Sequence, residues 1–194
     1  MSFKEKADSF EPSNEYEWRK WLEQNGDSKD SVWLIIHKKA SPNPNLTWSQ
    51  AVDHALCFGW IDSVRKTIDA EKFKQYFCKR KPKSTWSKVN KEKVEKLMEA
   101  GLMKKEGLNA ISLAKENGSW QILDSIDALT VPIELEKAFK DCPEAESFYS
   151  ALSHSKKRSI LYWVVSAKRI ETKEKRIQEF LESALAGKLP SRFS

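Results

Sequence analysis

Cysteine is scarce in this chain of 194 residues, which contains only Cys57, Cys78 and Cys142. Three is a small and odd number, whereas domains stapled by disulfides carry a dense and even set of cysteines. We therefore expect three reduced thiols and a reducing compartment, and we predict that the protein is cytoplasmic.

Long apolar runs are also missing. No stretch approaches the ~18 consecutive apolar residues that a membrane-spanning helix requires. The opening residues MSFKEKADSF lack the apolar segment of a secretory signal peptide. We predict no membrane span and no export signal.

Motifs for metals and nucleotides are absent as well. His54 and Cys57 are spaced to share one face of a predicted helix, but no second pair completes a zinc site, and His37 and His154 are isolated. The chain has neither a glycine-rich phosphate loop nor a G-x-S-x-G motif. We therefore predict no metal and no cofactor, and no motif specifies a reaction.

Positive charge is what the chain has in excess, with 34 Lys and Arg against 28 Asp and Glu and a net charge of +6. Residues 72–91 include eight basic side chains and no acidic one, and residues 156–176 form a second basic zone. Such charge attracts phosphates, nucleic acid, anionic lipid or an acidic protein. The alternative is that these lysines only solvate helix and hairpin faces.

The hydrophobic pattern predicts an α+β fold. The N-terminal part contains the helix EYEWRKWLEQN capped by Ser13, the strand SVWLIIHKK, a helix opened by a Thr47–Gln50 capping box, and a hairpin of WIDSVRKTI and FKQYFCKRK. The predicted sheet is small and mostly antiparallel, one strand plus the hairpin, with helices beside it. The C-terminal part is predicted to be all-helical, with Thr172 capping the last helix.

We predict a division into an α+β part, residues 1–85, and a helical part, residues 86–194. The alternative is that the two parts form one compact domain. Within ALCFGWIDS (55–63), Gly59 is expected to end a helix and Trp60 to start a strand. On that helix the pattern places Trp48 on the apolar face and Cys57 opposite it. Asp62 is expected on the same side of the strand as Trp60.

The candidate binding site is the loop after the hairpin. Backbone N–H groups at the start of the next helix are expected to converge on a phosphate or carboxylate, together with a set of basic, hydroxyl and aromatic side chains, namely Arg80, Lys83, Ser84, Trp86 and Ser87. Asp62 is predicted to orient Arg80 or Arg65. The alternative is that Trp86 covers the sheet and Ser87 caps the helix.

An enzymatic function stays open, with Asp62 as an acid or base or Cys57 as a nucleophile assisted by His54. These are weak catalytic candidates, because Asp62 is equally suited to an ion pair and Cys57 to packing under Trp60. Sequence-nonspecific nucleic-acid binding is a further alternative but is not favoured, because no recognised binding module is present.

Several stretches, taken together, resemble the YdeI/OmpD-associated family, which is linked to bacteriocin protection. They are ALCFGWIDS (55–63), RKPKSTWSKVNK (80–91), GLMKKEGLNAI (101–111), NGSW (117–120) and RSILYWVVSAKRIETKEKRI (158–177). The resemblance extends over nearly the whole chain, and the ordered combination is more specific than any one motif.

The resemblance implies a bacterial protein with an α+β N-terminal part, a helical C-terminal part and a link to resistance against bacteriocins or cationic antimicrobial peptides. It implies no established catalytic residue. A basic protein repels cationic peptides, so we expect any protection to act through an anionic ligand or a regulatory partner. Our prediction is a bacterial stress-protection protein that binds a small anionic or phosphate-containing molecule without catalysis; the alternative is an enzyme acting on a small anionic metabolite.

Overall fold

The computed structural model describes residues 7–193. Their strands are β1 (Ser9–Phe10), β2 (Ser31–His37), β3 (Trp60–Thr67) and β4 (Lys72–Lys79). Their helices are α1 (Glu15–Asn25), α2 (Trp48–Cys57), α3 (Lys88–Glu99), α4 (Lys105–Glu116), α5 (Ile122–Asp127), α6 (Ile133–Asp141), α7 (Pro143–Ala151), α8 (His154–Val165) and α9 (Ile170–Leu185), followed by a 3-10 turn, Ser191–Phe193.

The chain forms two compact units, one ending at Trp120 and the other beginning at Gln121. The predicted division at residues 85 and 86 marks the change from strands to helices. The first unit nevertheless includes α3 and α4, because Val94, Ile111 and Ala114 belong to the hydrophobic core beneath the sheet.

The sheet of the first unit has the strand order β1-β2-β4-β3. The predicted hairpin is confirmed, since β3 and β4 pair antiparallel, and β4 also pairs antiparallel with β2. The two-residue strand β1 was not predicted and runs parallel to β2, so the sheet is mixed. A strand of two residues is too short to show an alternating pattern.

A β-bulge interrupts the hairpin between Asp62 and Arg65. Asp62 pairs with Phe77 and Arg65 with Gln75, so β3 contains one residue more than β4 between these two pairs. In a regular strand, residues three apart point to opposite faces, but the extra residue returns Arg65 to the face that carries Asp62. This places two charged side chains of β3 together.

Helices α1 and α2 cover one face of the sheet, where Val32, Leu34, Ile36 and Phe77 are buried with Trp18. The cap of α1 differs from the prediction: the side chain of Asn14, and not that of Ser13, accepts the backbone hydrogen bond from Glu17 (3.0 Å). The predicted capping box of α2 is confirmed, since the Thr47 and Gln50 side chains each accept a hydrogen bond from the other's backbone N–H.

The orientation predicted for α2 was wrong in one respect. Cys57 is fully buried, and Trp48, expected on the apolar face, is 41% exposed. Helix α4 explains the burial of Cys57, because Gly107 packs directly against the carbonyl group of Cys57. Gly59, with a φ of +70°, ends the helical segment as predicted, and a left-handed conformation favours glycine there.

The second unit is helical, as predicted. Its core draws apolar side chains from α5 to α9, among them Ile126, Leu135, Phe139, Ile160, Trp163 and Phe180. Thr172 does not cap the last helix, because α9 already begins at Ile170, after Arg169. The three cysteines are free thiols. Within residues 7–193, no helix combines the length and apolar character needed to cross a bilayer.

Candidate functional site

Arg80, the central residue of the predicted binding loop, packs against an aromatic ring. Its Cζ lies 3.7 Å from the centre of the Trp86 ring, and its Nη1 donates to the carbonyl oxygen of Thr85 (3.0 Å). Nε and Nη2 are buried and have no hydrogen-bond partner among residues 7–193. Burial lowers the pKa of Arg80 to about 10, although the negative charge of Asp62 opposes the shift.

The other members of the predicted loop do not converge on one point. Trp86 is 1% exposed and also contacts Trp120, so its ring belongs to the core, where it offers no face to a ligand. Ser87 caps α3 by accepting from Asn90, while Lys83 is exposed and Ser84 is partly buried. The alternative interpretation, a covering Trp86 and a capping Ser87, describes this loop.

The basic segment 72–91 does not form a single patch. Lys72 pairs with Glu11 (2.7 Å), and Lys74 lies over Trp33 on the sheet face opposite the helices. A groove that tracks a nucleic-acid backbone needs its charges on one surface. Lys72 and Lys74 share one face of β4, but Lys79 lies on the opposite face and Lys91 is buried on α3.

A cavity of about 210 Å³ reaches Arg80. Lys79 and Lys81 line it, but so do Asp27 and Glu106. An anion placed there meets two carboxylates as well as the basic side chains, so the electrostatic preference for an anion is weakened.

A larger cavity, of about 550 Å³, lies between the start of α2 and the ends of β2, β3 and β4. We name it the Arg65 cavity. Its walls are formed by Ile36, His37, Lys38, Lys39, Pro44, Asn45, Leu46, Thr47, Trp48, Gln50, Arg65 and Phe73. Every ionisable residue in this set is basic.

A hydrogen-bonded chain holds Arg65 in this cavity. Nε of Arg65 donates to Oε1 of Gln75 (3.2 Å), and Nε2 of Gln75 donates to Oδ2 of Asp62 (3.0 Å). Gln75 is buried, so its position is fixed. Asp62 therefore orients Arg65 through an intervening amide; the sequence pointed to these two charged residues but not to Gln75.

Asp62 also fixes Trp48. The indole Nε1 of Trp48 donates to Oδ2 of Asp62 (3.0 Å), so the carboxylate joins the start of α2 to the hairpin. Asp62 shares the helix-covered face with the buried Trp60, as predicted. Asp62 therefore holds two side chains of the cavity wall in position: Trp48 directly and Arg65 through Gln75.

The remaining basic groups of the cavity differ in their partners. The His37 ring contacts Glu11 (2.7 Å) through Nε2 and the carbonyl oxygen of Asn43 through Nδ1. Lys38 donates to the carbonyl oxygen of Asp69 (2.7 Å), and Lys39 is exposed. The short run His37-Lys38-Lys39 after a strand was the one signal in the sequence that could have indicated this site.

Cys57 and His54 are not arranged as a nucleophile and its base. Burial raises the pKa of the Cys57 thiol, with Arg19 opposing part of the shift, and a protonated thiol is a poor nucleophile. The His54 ring contacts Glu15 through Nε2 and Arg19 through Nδ1. Among the described residues, no group of three His, Cys, Asp or Glu side chains is placed to hold a metal ion.

Comparison with known families gives each unit its own match. Residues 10–110, just over half of the chain, match the family described as Domain of unknown function (DUF8412). The chain belongs to this family. Residues 128–187 match the family described as Bacteriocin-protection, YdeI or OmpD-Associated, which confirms the resemblance seen in the sequence.

The family matches restrict the resemblance to a shorter part of the chain than the motifs suggested. The motif at 158–177 lies entirely in the helical unit, inside the bacteriocin-protection match, whereas the motifs at 55–63 and 80–91 lie inside the DUF8412 match. No curated protein and no solved structure matches the chain. The Arg65 cavity therefore belongs to the DUF8412 part.

Proposed function

We propose that the DUF8412 unit binds a small anionic molecule in the Arg65 cavity, without covalent chemistry, in a protein of the bacteriocin-protection type. The observation that carries the proposal is the charge of the cavity wall: His37, Lys38, Lys39 and Arg65 line it, and no acidic residue among 7–193 does. A concave site with a few convergent polar groups on an otherwise apolar wall is typical of small-molecule pockets.

Arg65 is the group best placed to meet the anion. Its single hydrogen bond within residues 7–193 uses Nε, so the terminal Nη1 and Nη2 are available as a pair. A guanidinium presents such a pair to a carboxylate or phosphate in bidentate geometry. Gln75 and Asp62 hold the guanidinium in position before a ligand arrives, which reduces the ordering cost of binding.

The loop around Arg80 is the second candidate for the same function. The observation in its favour is the pair of buried guanidinium nitrogens without a partner, because a buried polar group is normally hydrogen-bonded. In this version Arg80, Lys83, Ser84 and Ser87 receive the anion, as the sequence predicted. The two acidic residues of the adjoining cavity and the burial of Trp86 make it the weaker of the two.

The net charge of the protein bears on how protection would operate. At +6 the chain repels the cationic peptides against which protection is directed. We infer that the protein acts by sensing or holding an anionic molecule rather than by trapping the peptide.

The experiment that tests the proposal is isothermal titration calorimetry with inorganic phosphate, citrate and cyclohexanecarboxylate. The variants are Arg65→Met, Arg80→Met and, as a matched loss of one positive charge on an exposed side chain outside both candidate sites, Lys96→Met. We expect Arg65→Met to weaken binding about tenfold, the effect of losing one charged hydrogen-bond partner, and the other two to bind as the wild type does.

The opposite pattern, loss in Arg80→Met and none in Arg65→Met, would assign the function to the predicted loop. Equal small losses in all three variants would show that only the general positive charge matters, and that no built site exists. If neither these anions nor the aromatic anions named below bind at millimolar concentration, the proposed function is wrong.

A further inference from the structure

The Arg65 cavity contains an aromatic ring that the described core does not use. Trp48 is 41% exposed, whereas the other tryptophans of the first unit are buried or partly buried. We propose that the ligand of this cavity is a planar aromatic anion, with its ring stacked on Trp48 and its negative group on Arg65. This inference rests on the proposed function and names the class of ligand.

The Trp48 ring is held in a fixed orientation. Its Nε1 donates a hydrogen bond to Asp62. Trp48 is also the first residue of α2, directly after Thr47, which forms the capping box with Gln50. A hydrogen-bonded indole on a capped helix start loses little freedom when a ligand covers it. The ring is therefore a preorganised platform and not a loose surface side chain.

The guanidinium of Arg65 packs more closely on Phe73 than on Trp48, whose side chain stays 41% exposed. Its Cζ lies 4.3 Å from the centre of the Phe73 ring but 6.0 Å from that of Trp48. The second distance is at the outer limit of a cation–π contact. Phe73 is thus occupied by the arginine, and Trp48 is left to a ligand.

The spacing suits a ring that carries an anionic group at its edge. An aromatic ring stacked on Trp48 lies about 3.5 Å from it, the contact distance of carbon atoms. The Cζ of Arg65, 6.0 Å from the centre of the Trp48 ring, is close enough for its guanidinium to pair with a carboxylate or phosphate at the edge of that ring. The apolar residues Ile36, Leu46 and Phe73 form the floor behind it.

The volume of the cavity, about 550 Å³, is within the usual range of small-molecule sites. Two kinds of compound share the required chemistry: an aromatic carboxylic acid and a mononucleotide, whose base is the ring and whose phosphate is the anion. An aliphatic acid can pair with Arg65 equally well but gains no stacking energy from Trp48.

The test compares aromatic ligands with non-aromatic ligands of the same charge by titration calorimetry. 2-Naphthoate is paired with decahydronaphthalene-2-carboxylate, and adenosine monophosphate with ribose 5-phosphate. The variants are Trp48→Leu, Trp48→Phe and Tyr16→Leu. The last removes another exposed aromatic side chain, on α1 and outside the cavity.

We expect the wild type to bind one of the two aromatic ligands about tenfold more tightly than its partner, the effect of stacking one base or ring. Trp48→Leu should abolish this preference, while Trp48→Phe and Tyr16→Leu should retain most of it. The saturated acid should bind Trp48→Leu and the wild type alike. Preference for naphthoate indicates an aromatic acid, and preference for the nucleotide indicates a nucleotide.

Equal binding of aromatic and non-aromatic partners, or an aromatic preference that survives Trp48→Leu, would overturn the inference. If binding is equal but still depends on Arg65, the proposed function stands and only the ligand class is wrong. If neither these ligands nor phosphate, citrate and cyclohexanecarboxylate bind, both the inference and the proposed function are wrong. Circular dichroism of each variant verifies that the fold is retained.

Discussion

The guanidinium carbon of Arg80 lies 3.7 Å from the centre of the Trp86 ring, and that ring is almost completely buried. Two residues that the sequence suggested would face a ligand instead face each other. The contact covers the arginine, leaves two of its nitrogens without partners and lowers its pKa to about 10 through burial. A charge is thus kept beneath the surface at a cost in stability.

The first prediction concerns that cost. Arg80→Met keeps an unbranched side chain of similar length on Trp86 and removes the desolvated charge. We expect the free energy of unfolding to stay unchanged or to rise, because apolar replacements of poorly compensated buried charges are often neutral or stabilising. Urea denaturation followed by tryptophan fluorescence measures it.

Arg80→Ala is the matched variant, since it removes the stem as well as the charge. It should lower the free energy of unfolding by about 1–2 kcal/mol through lost packing on Trp86. Equal losses in both variants would mean that the charge, through Trp86 and the bond to Thr85, stabilises the fold.

The second prediction concerns the close packing of α4 on the end of α2. A Cβ atom at Gly107 would lie 2.3 Å from the carbonyl oxygen of Cys57, which is backbone and cannot move freely. Gly107→Ala should therefore destabilise the protein by about 2 kcal/mol or more, as overpacking does. Helix propensity alone predicts the reverse sign, since alanine is favoured over glycine within a helix.

Gly101→Ala serves as the comparison for Gly107→Ala. Gly101 has open space around its Cα but a φ of +66°. Its replacement should cost about 1 kcal/mol, from the left-handed conformation alone. A Gly107→Ala protein as stable as the wild type would show that the two helices separate easily.

The third prediction concerns pH and His54. Nη1 of Arg19 lies 3.4 Å from Nδ1 of His54, and Glu15 lies 3.3 Å from Nε2. A neutral ring with its hydrogen on Nε2 satisfies both partners. Burial lowers the pKa of His54, and Arg19 adds to the shift while Glu15 opposes it.

The sign of the pH effect follows from this shift. Unfolded histidine has a pKa of about 6.5, so below that pH the unfolded chain takes up the proton more readily than the folded one. The free energy of unfolding should therefore fall as pH drops from about 7.5 to 5.5. In His54→Gln, whose amide offers one acceptor and one donor, the fall should be smaller.

Glu15→Gln gives the complementary measurement. It removes the group that raises the pKa of His54, so the acid-induced loss of stability should be larger than in the wild type. Chemical denaturation at several pH values measures all three proteins. A pH profile of His54→Gln that overlays the wild type would assign the effect to other groups.

The fourth prediction concerns the second unit. The hydroxyl of Tyr149 is buried without a hydrogen-bond partner among the described residues, and burial raises its pKa to about 12. Tyr149→Phe removes an unsatisfied polar atom and keeps the ring contacts with Phe139 and Phe180. We expect it to raise the free energy of unfolding by about 1 kcal/mol.

Tyr162→Phe is the control for Tyr149→Phe, because Tyr162 is exposed. Its hydroxyl remains solvated in either state, so the change should be within about 0.5 kcal/mol. Thermal unfolding monitored by circular dichroism compares the two. Destabilisation by Tyr149→Phe would indicate a bound water or another partner for the hydroxyl.

Local signals in the sequence were sufficient for much of the first unit. The Thr47–Gln50 capping box, the stop at Gly59 and the hairpin were predicted, because each depends on residues within a few positions of one another. The placement of Asp62 on the side of Trp60 followed from strand alternation. The helical character of the second unit followed from its apolar periodicity.

The predictions of burial that failed depended on distant residues, whereas the caps of α1 and α9 were misplaced locally. Cys57 is buried where α4 packs against its carbonyl group through Gly107, fifty residues away in the chain, whereas Trp48 at the other end of α2 is 41% exposed. Helical periodicity gives the relative positions of side chains on α2, but it does not tell which neighbours cover them. The same is true of Trp86, which is covered by Arg80 and Trp120.

The sequence by itself determined the kinds of elements, their caps and stops, the excess of positive charge and the family resemblance, since these follow from composition and short-range pattern. Only the tertiary structure decided which side chains each basic residue contacts. A single bulge in β3 turns Arg65 to the face of Asp62, and Gln75 of β4 links the two. An extra residue in one strand moves every later side chain of that strand to the other face of the sheet, and no local sequence pattern predicts such a bulge.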